Sequence, residues 1–247
     1  APVQTWLRRV KDSAAPAPQV ETRPEDYPDN VKDRLLYVLT PHEARLRIDI
    51  CKGRINAVGT GLNKSIRRYD AAHALRSTGP AKFIRPVDLD LLSALAQARL
   101  WDAGYGYGLP DLLRPRGDDA IALIRRLCET GRFLHDTAPD ARLDWSEDRP
   151  VPRLAWQMAA DGRQRLGFAD AAGHPLHLRS LEGAALWLDA SAGRIGALEA
   201  PVDADILQLV AASPEVAPEE AGALGLALPD QLAGLDLPRP RAIRQTT

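Results

Sequence analysis

Residues 34–85, RLLYVLTPHEARLRIDICKGRINAVGTGLNKSIRRYDAAHALRSTGPAKFIR, hold the clearest strand pattern in the chain and its most lopsided charge. Leu46, Ile48 and Ile50 alternate with Arg45, Arg47 and Asp49, the period-two signature of a half-buried strand. Leu35 to Leu39 is a nearly continuous apolar run that includes Tyr37 and Val38. The interval between the two, Thr40-Pro41-His42-Glu43, is short and contains proline, so the pair predicts an antiparallel hairpin. Further strands are expected around Arg54 to Val58 and Lys64 to Tyr69, on either side of Gly59-Thr60-Gly61. The outward basic residues would then share one solvent face.

From Ala44 to Arg85 there are ten basic residues (Arg45, Arg47, Lys52, Arg54, Lys64, Arg67, Arg68, Arg76, Lys82, Arg85) against Asp49 and Asp70. That is a local excess of eight in a chain of net charge −1, so the remainder carries −9. Two readings fit such a face. Clustered cations with an interleaved tyrosine, Tyr69, neutralise nucleic-acid phosphates and release counterions, and on this reading Lys52, Arg54, Lys64, Arg67 and Arg68 are the contacts. Alternating charge is equally what any solvated sheet face shows.

Two glycine-rich stretches are not phosphate loops. A GxxxxGK[ST] motif aligned on Lys64 needs glycine at 58 and 63, where the chain has Val58 and Asn63, and both mismatches remove the glycines that let backbone amides wrap a phosphate. Gly104-Tyr105-Gly106-Tyr107-Gly108 fails GxGxxG at Leu109 and reads as a loop.

At 247 residues, 45% hydrophobic and 26% charged, the chain is ordinary globular material, long enough for one large domain or two small ones. Cys51 and Cys128 stand far apart without a CxxC or a nearby histidine, which suggests neither a zinc site nor a disulfide framework and fits a reduced cytoplasmic setting. No apolar run approaches the roughly 20 residues of a membrane span, and no signal peptide is apparent. The first residue, Ala1, is not methionine, so a piece of something longer is expected.

Taken in order, residues 1–30 predict an amphipathic helix (Val3, Trp6, Leu7 and Val10 on one face of Pro2 to Lys11) and a proline-rich linker from Ser13 to Asn30. The basic β segment, 31–85, follows. In 86–149 a helix from Arg85 to Trp101 opens with Pro86 and carries Asp88 and Asp90 where a helix N-terminus favours them. Leu109 to Leu113 reads as a short helix. Asp118 or Asp119 to Thr130 is a third, stopped by Gly131. Arg132 to Asp136 and Arg142 to Trp145 then pair as a hairpin. Helix, short helix, helix and hairpin is the order of a winged helix, with Arg125 and Arg126 facing a major groove and Arg132 or Arg142 the backbone. A plain helical bundle with a trailing hairpin has the same order, and Asp119 and Glu129 weaken the positive field. Residues 150–200 predict a β meander with turns at Asp161-Gly162, Gly173 and Ser191-Ala192-Gly193. Residues 201–247 predict two helices, Val202 to Ala212 and Pro218 to Leu228, and a closing linker from Leu237. From Leu186 to Asp236 nine acidic residues face only Arg194. The fold class is α+β, with antiparallel β segments flanking a central helical, winged-helix-like unit.

No paired carboxylates in an apolar setting, Ser-His-Asp set, HExxH or nucleophile elbow rises above background, and His174 and His177 have no third ligand in sequence. No catalytic and no metal-binding residue is assigned.

RLLYVL (34–39), RYDAAHAL (68–75), KFIRPVDLDLLSALAQAR (82–99) and LWLDASAGRIGALEAPVDADILQLVAASPEVAPEEA (186–221) resemble the region ahead of the motor in bacterial helicases of the Swi/Snf-related family, which are DNA-dependent ATPases. The resemblance implies two RecA-like lobes beyond Thr247 that bind ATP, Mg²⁺ and duplex DNA, and in some relatives a zinc-binding SWIM module upstream. This chain has no Walker A lysine, DExH motif, arginine-finger segment or CxC…CxH set, so no catalytic residue and no cofactor carries over. The expected role is a non-catalytic accessory region that engages DNA or regulates its own motor lobes. The alternative is a protein-interaction scaffold that docks the motor or a partner without touching DNA. An independent small-molecule enzyme is a distant third.

Overall fold

The structure is a computed structural model that describes residues 27, 30–42, 45–56, 61–72, 74–75, 79–98, 101, 117–138, 140–181 and 184–242. The expected helices at Pro2 to Lys11 and Leu109 to Leu113, the Gly104 to Gly108 loop and most of the proline-rich linker lie outside those residues.

Strands β1 (Asp33–His42) and β2 (Arg45–Arg54) pair antiparallel over their whole length, from Asp33 opposite Arg54 to His42 opposite Arg45. The hairpin is as expected, but both strands run further toward the turn. Side chains alternate across a strand, so Leu35, Tyr37, Leu39, Ile48 and Ile50 fall on one face and Leu36, Val38 and Cys51 on the other. Both faces are covered. The first joins the main core, and the second packs with Leu62, Leu134 and Ala141 in a smaller cluster. The continuous apolar run of β1 reflects this double burial, so the hairpin has no fully solvated face. Past β2, Ile55 bridges Leu62, and β3 is only Arg67–Arg68, beside Lys52 and Cys51.

Helix α1 (Pro86–Gln97) buries Leu91, Leu92 and Leu95, and helix α2 (Gly117–Glu129) buries Leu123, Ile124 and Leu127 in the same core. Gly131, at φ 65°, ends the second, as its place in the sequence predicts. The hairpin after it is spliced into the sheet on both sides. Its arms β4 (Phe133–Leu134) and β5 (Asp144–Ser146) pair parallel with β1 and with β10 (Arg194–Ala197) respectively. The arms also touch each other, through the Leu134–Arg142 bridge and the Leu143 N–H donated to Phe133 O at 2.8 Å. Both arms are thus built into the sheet wall, and this pairing does not by itself make the helical unit a winged helix.

The meander forms as read: β6 (Arg153–Met158), β7 (Gln164–Ala169), β8 (Pro175–Leu181), β9 (Ala184–Asp189) and β10, each antiparallel to the next up to β10. A single parallel pair, Arg45 with Ser180, links β2 to β8. The strand order β4-β1-β2-β8-β9-β10-β5 therefore closes on itself, because its end strands are the two arms of one hairpin.

β8 and β9 are a shared wall. Leu186 and Leu188 face the α1–α2 core, whereas Leu178, Ala185 and Trp187 face a second core with Leu154, Leu166 and Phe168. Helix α3 (Ala204–Ala211), capped by Asp203 Oδ1 accepting from the Asp205 N–H, closes that second core with Ile206, Leu207 and Val210. Helix α4 (Pro218–Ala227) and the small hairpin of β11 (Gln231–Leu232) and β12 (Leu235–Asp236) follow. The closing segment, expected as a linker, is fixed as far as Arg241. Trp156 Nε1–H donates to Pro238 O at 2.8 Å, while the Gln164 amide both donates to Arg241 O and accepts from the Arg241 N–H. Segments 31–85, 86–149 and 150–200 all contribute residues to the main core, and 150–200 contributes to the second core as well. The fold is α+β, and no helix among the described residues is long and apolar enough to cross a membrane.

Candidate nucleic-acid interface

The eight cations singled out from sequence part into two groups and one outlier, Arg68. At the far end of the β1–β2 hairpin, cross-strand neighbours point to the same side. Lys52 lies opposite Leu35 on one flank and Arg67 on the other, so its side chain shares the α1 side of the sheet with that of Arg67. Lys52 Nζ sits 5.5 Å from the centroid of the Phe83 ring and 3.4 Å from Asp33 Oδ2. Tyr69 meets Phe83 edge to face at 5.2 Å, and both rings are only partly buried. Exposed Arg54 is held beside exposed Lys64 because the Asn63 N–H donates to Arg54 O at 2.7 Å. Lys52, Arg54, Lys64 and Arg67 are thus brought to one end of the sheet.

Arg68 is not part of that set. It lies opposite Cys51 on the other side, where its Nη2 donates to Asp49 Oδ2 at 2.6 Å. The second group sits on α2 and the strand after it. Arg125 Nη2 reaches Glu147 Oε1 at 2.6 Å, and its Nε is 3.6 Å from Glu129 Oε1. Arg142 turns both Nε and Nη2 onto Asp144 Oδ1, at 2.9 and 2.7 Å. Arg126 is exposed. Arg132 is buried at 3% exposure and cannot reach a phosphate, which corrects its assignment as a backbone contact.

Arg132 belongs to a polar hub that sequence reading did not find. Asp88, fully buried at the start of α1, accepts from Tyr37 O–H at 2.8 Å and Arg132 Nη2 at 2.6 Å, and its second oxygen accepts from the Arg85 N–H at 2.9 Å. Arg132 Nη1 donates to Leu35 O at 2.9 Å. Burial works against the Arg132 charge, yet the Asp88 carboxylate beside it outweighs that and holds the guanidinium above its ordinary pKa. Burial and the same carboxylate push the Tyr37 phenol well up, so it stays a donor. Asp88 had been read as a helix-dipole residue. The signal that it does more is Tyr37, the one hydroxyl in the otherwise aliphatic run Leu35 to Leu39.

Among the described residues no group of three or more His, Cys, Asp or Glu side chains is placed to hold a metal ion. His174 Nδ1 lies 3.1 Å from Asp170 Oδ2 on an exposed turn. No family model, no curated protein and no solved structure matches the chain.

Proposed function

We propose that the Lys52–Arg54–Lys64–Arg67 end of the sheet engages nucleic acid by neutralising phosphates, within a non-catalytic accessory region of the kind its resemblance to Swi/Snf-related DNA-dependent ATPases implies. ATP and Mg²⁺ would belong to motor lobes outside this chain, acting in the cytoplasm. One observation carries the reading. Arg54, Lys64 and Arg67 are exposed, are grouped at one end of the sheet and make no ion pair among the described residues; Arg126 shares that state singly on α2, whereas Arg125, Arg142, Arg163, Arg194 and Arg239 each have a carboxylate within 4 Å. An arginine whose charge is met within the protein gains little from a phosphate; an unmet one releases a counterion when it binds.

The test is fluorescence anisotropy with duplex and single-stranded DNA across a salt series, comparing the native chain with Arg54→Glu/Lys64→Glu/Arg67→Glu and with Arg125→Glu/Arg126→Glu. Each lost phosphate contact lowers the salt slope by about 0.9, so the triple variant loses two to three units and the α2 variant stays close to native. Binding untouched by the triple variant, or weakened as much by the α2 pair, sinks the proposal. The scaffold reading would look to the acidic side, where Leu226 of α4 is 91% exposed and Leu209 of α3 50%.

A further inference from the structure

At the start of β1 a buried guanidinium makes no ion pair among the described residues. Arg34 is 5% exposed, and its Nη1 donates only to backbone oxygens, Val31 O at 2.7 Å and Asp33 O at 2.9 Å. Its flat face lies over the Tyr27 ring, 3.6 Å from the centroid, and Tyr27 is itself 8% exposed. Two polar atoms of this stacked pair, Arg34 Nε and the Tyr27 hydroxyl, make no hydrogen bond. Equally buried Arg132 shows what is missing, since it is matched by Asp88. Asp88 does not serve Arg34, because both its oxygens are already committed to Tyr37, Arg132 and the Arg85 N–H.

An orphaned buried donor costs about 1–3 kcal/mol, and a buried charge without a counter-ion costs more. Two orphan donors on one stacked pair point to one missing acceptor. With the guanidinium 3.6 Å above the ring, the two donors belong to one stacked pair that a polyatomic acceptor could serve at ordinary hydrogen-bond lengths of about 2.8 Å. The surroundings specify its charge. The Arg85 guanidinium lies 5.2 Å from the same ring, at the N-terminus of α1, where the helix dipole also favours an anion. Burial is the first cause holding the Arg34 pKa down; Tyr27 and Asp33 act to raise it, Arg132 and Arg85 to lower it, and the balance stays below the ordinary value.

We infer that Arg34 and Tyr27 are the donor pair of a small-oxyanion site, of the inorganic-phosphate class, at the junction of β1 and α1. A water would satisfy the donors but not the charge, and side chains this enclosed exclude the backbone of a duplex. The site is therefore separate from the basic end of the sheet and does not depend on the nucleic-acid reading.

The experiment is thermal melting of the full chain titrated with sodium phosphate against sodium chloride at constant ionic strength. Native chain, Tyr27→Phe and the Arg54→Glu/Lys64→Glu/Arg67→Glu variant are compared, with phosphate affinity measured by calorimetry. The native chain should show a saturable upward shift specific to phosphate, and the triple variant should keep it. Tyr27→Phe should bind phosphate about tenfold more weakly, yet melt no lower than native in chloride, because it deletes a hydroxyl that has no partner there. Three results overturn the site: no phosphate-specific shift in the native chain, an equal shift in Tyr27→Phe, or a shift lost only in the triple variant, which would place the anion on the basic surface. A Tyr27→Phe chain that melts lower in chloride would likewise show that the hydroxyl already has a partner.

Discussion

The two sides of the β8–β9 wall close in different ways. On the α1–α2 side, helices and sheet are tied by a buried ionic hub, Asp88 with Arg132 and Tyr37, while Arg54, Lys64 and Arg67 at the rim make no ion pair among the described residues. On the α3–α4 side the ties are neutral, the Trp156 indole and Gln164 amide holding the backbone of 238–241, while surface charges meet one another. A buried ion pair is stable only as a pair, because either charge alone carries an unmet desolvation penalty. A neutral hydrogen bond to an outlying strap fails locally instead. The first side should therefore break as a unit, and the second should fray.

The largest test of that contrast is Asp88→Asn, which keeps the shape but leaves Arg132 charged and unmatched in the core. The expected cost is about 3–5 kcal/mol of global stability in urea denaturation, with no change in denaturant dependence. A loss below about 1 kcal/mol would mean the hub is not what holds α1 to β1 and β4.

Alkaline pH should separate the sides next. Burial pushes the Cys128 thiol up to about 12 and the Cys51 thiol to about 11 from an ordinary 9.0, and raises the phenols of Tyr27 and Tyr37. All four sit on the hub side of the wall. A group with a raised folded-state pKa contributes stability that is complete below its unfolded value and drains as pH rises toward the folded one. Stability should thus fall from about pH 9 upward, by roughly 1.4 kcal/mol per pH unit for Cys128 alone. Cys51→Ala/Cys128→Ala should flatten the slope between pH 9 and 11, and an unchanged slope there would remove the thiols as its cause.

On the neutral side, Gln164→Ala removes both bonds to Arg241 and should cost about 1–3 kcal/mol. Hydrogen exchange is the sharper readout: the Arg241 amide should open while the amides of β1 and β2 keep their protection. Equal loss of protection across both sides would show that they are one cooperative unit. The smallest effect is expected at Arg163, which bridges Asp161 and Glu215 on open surface. Arg163→Ala should leave the melting temperature within error at physiological salt, since exposed pairs are screened.

Much of this architecture was legible locally. The period-two run of β2 and the solid apolar run of β1 gave the hairpin, Pro86 and Gly131 marked helix ends, and Gly162 and Gly173, at φ 84° and 88°, marked meander turns. The candidate interface was legible only as a charge excess. Register then divided it, because one step along a strand reverses the face: Arg67 joins Lys52, while Arg68 turns to Asp49. Glu147 and Asp144 arrive beside Arg125 and Arg142, which sequence order alone did not show. The closing Leu237-Pro238-Arg239 read as linker because nothing in it reveals that Trp156 and Gln164, some 80 residues earlier, hold its backbone.

By itself the sequence determined the elements, since periodicity, capping and turn chemistry act within a dozen residues, and it determined the segregation of charge along the chain. Tertiary structure alone decided the rest. It closed the sheet by returning the arms of one hairpin to β1 and β10, paired Asp88 with Arg132 44 residues away, and left Arg54, Lys64 and Arg67 without an ion pair among the described residues. Whether a charge is spent or available depends on what stands within a few ångströms of it, and that distance has no counterpart in the order of residues.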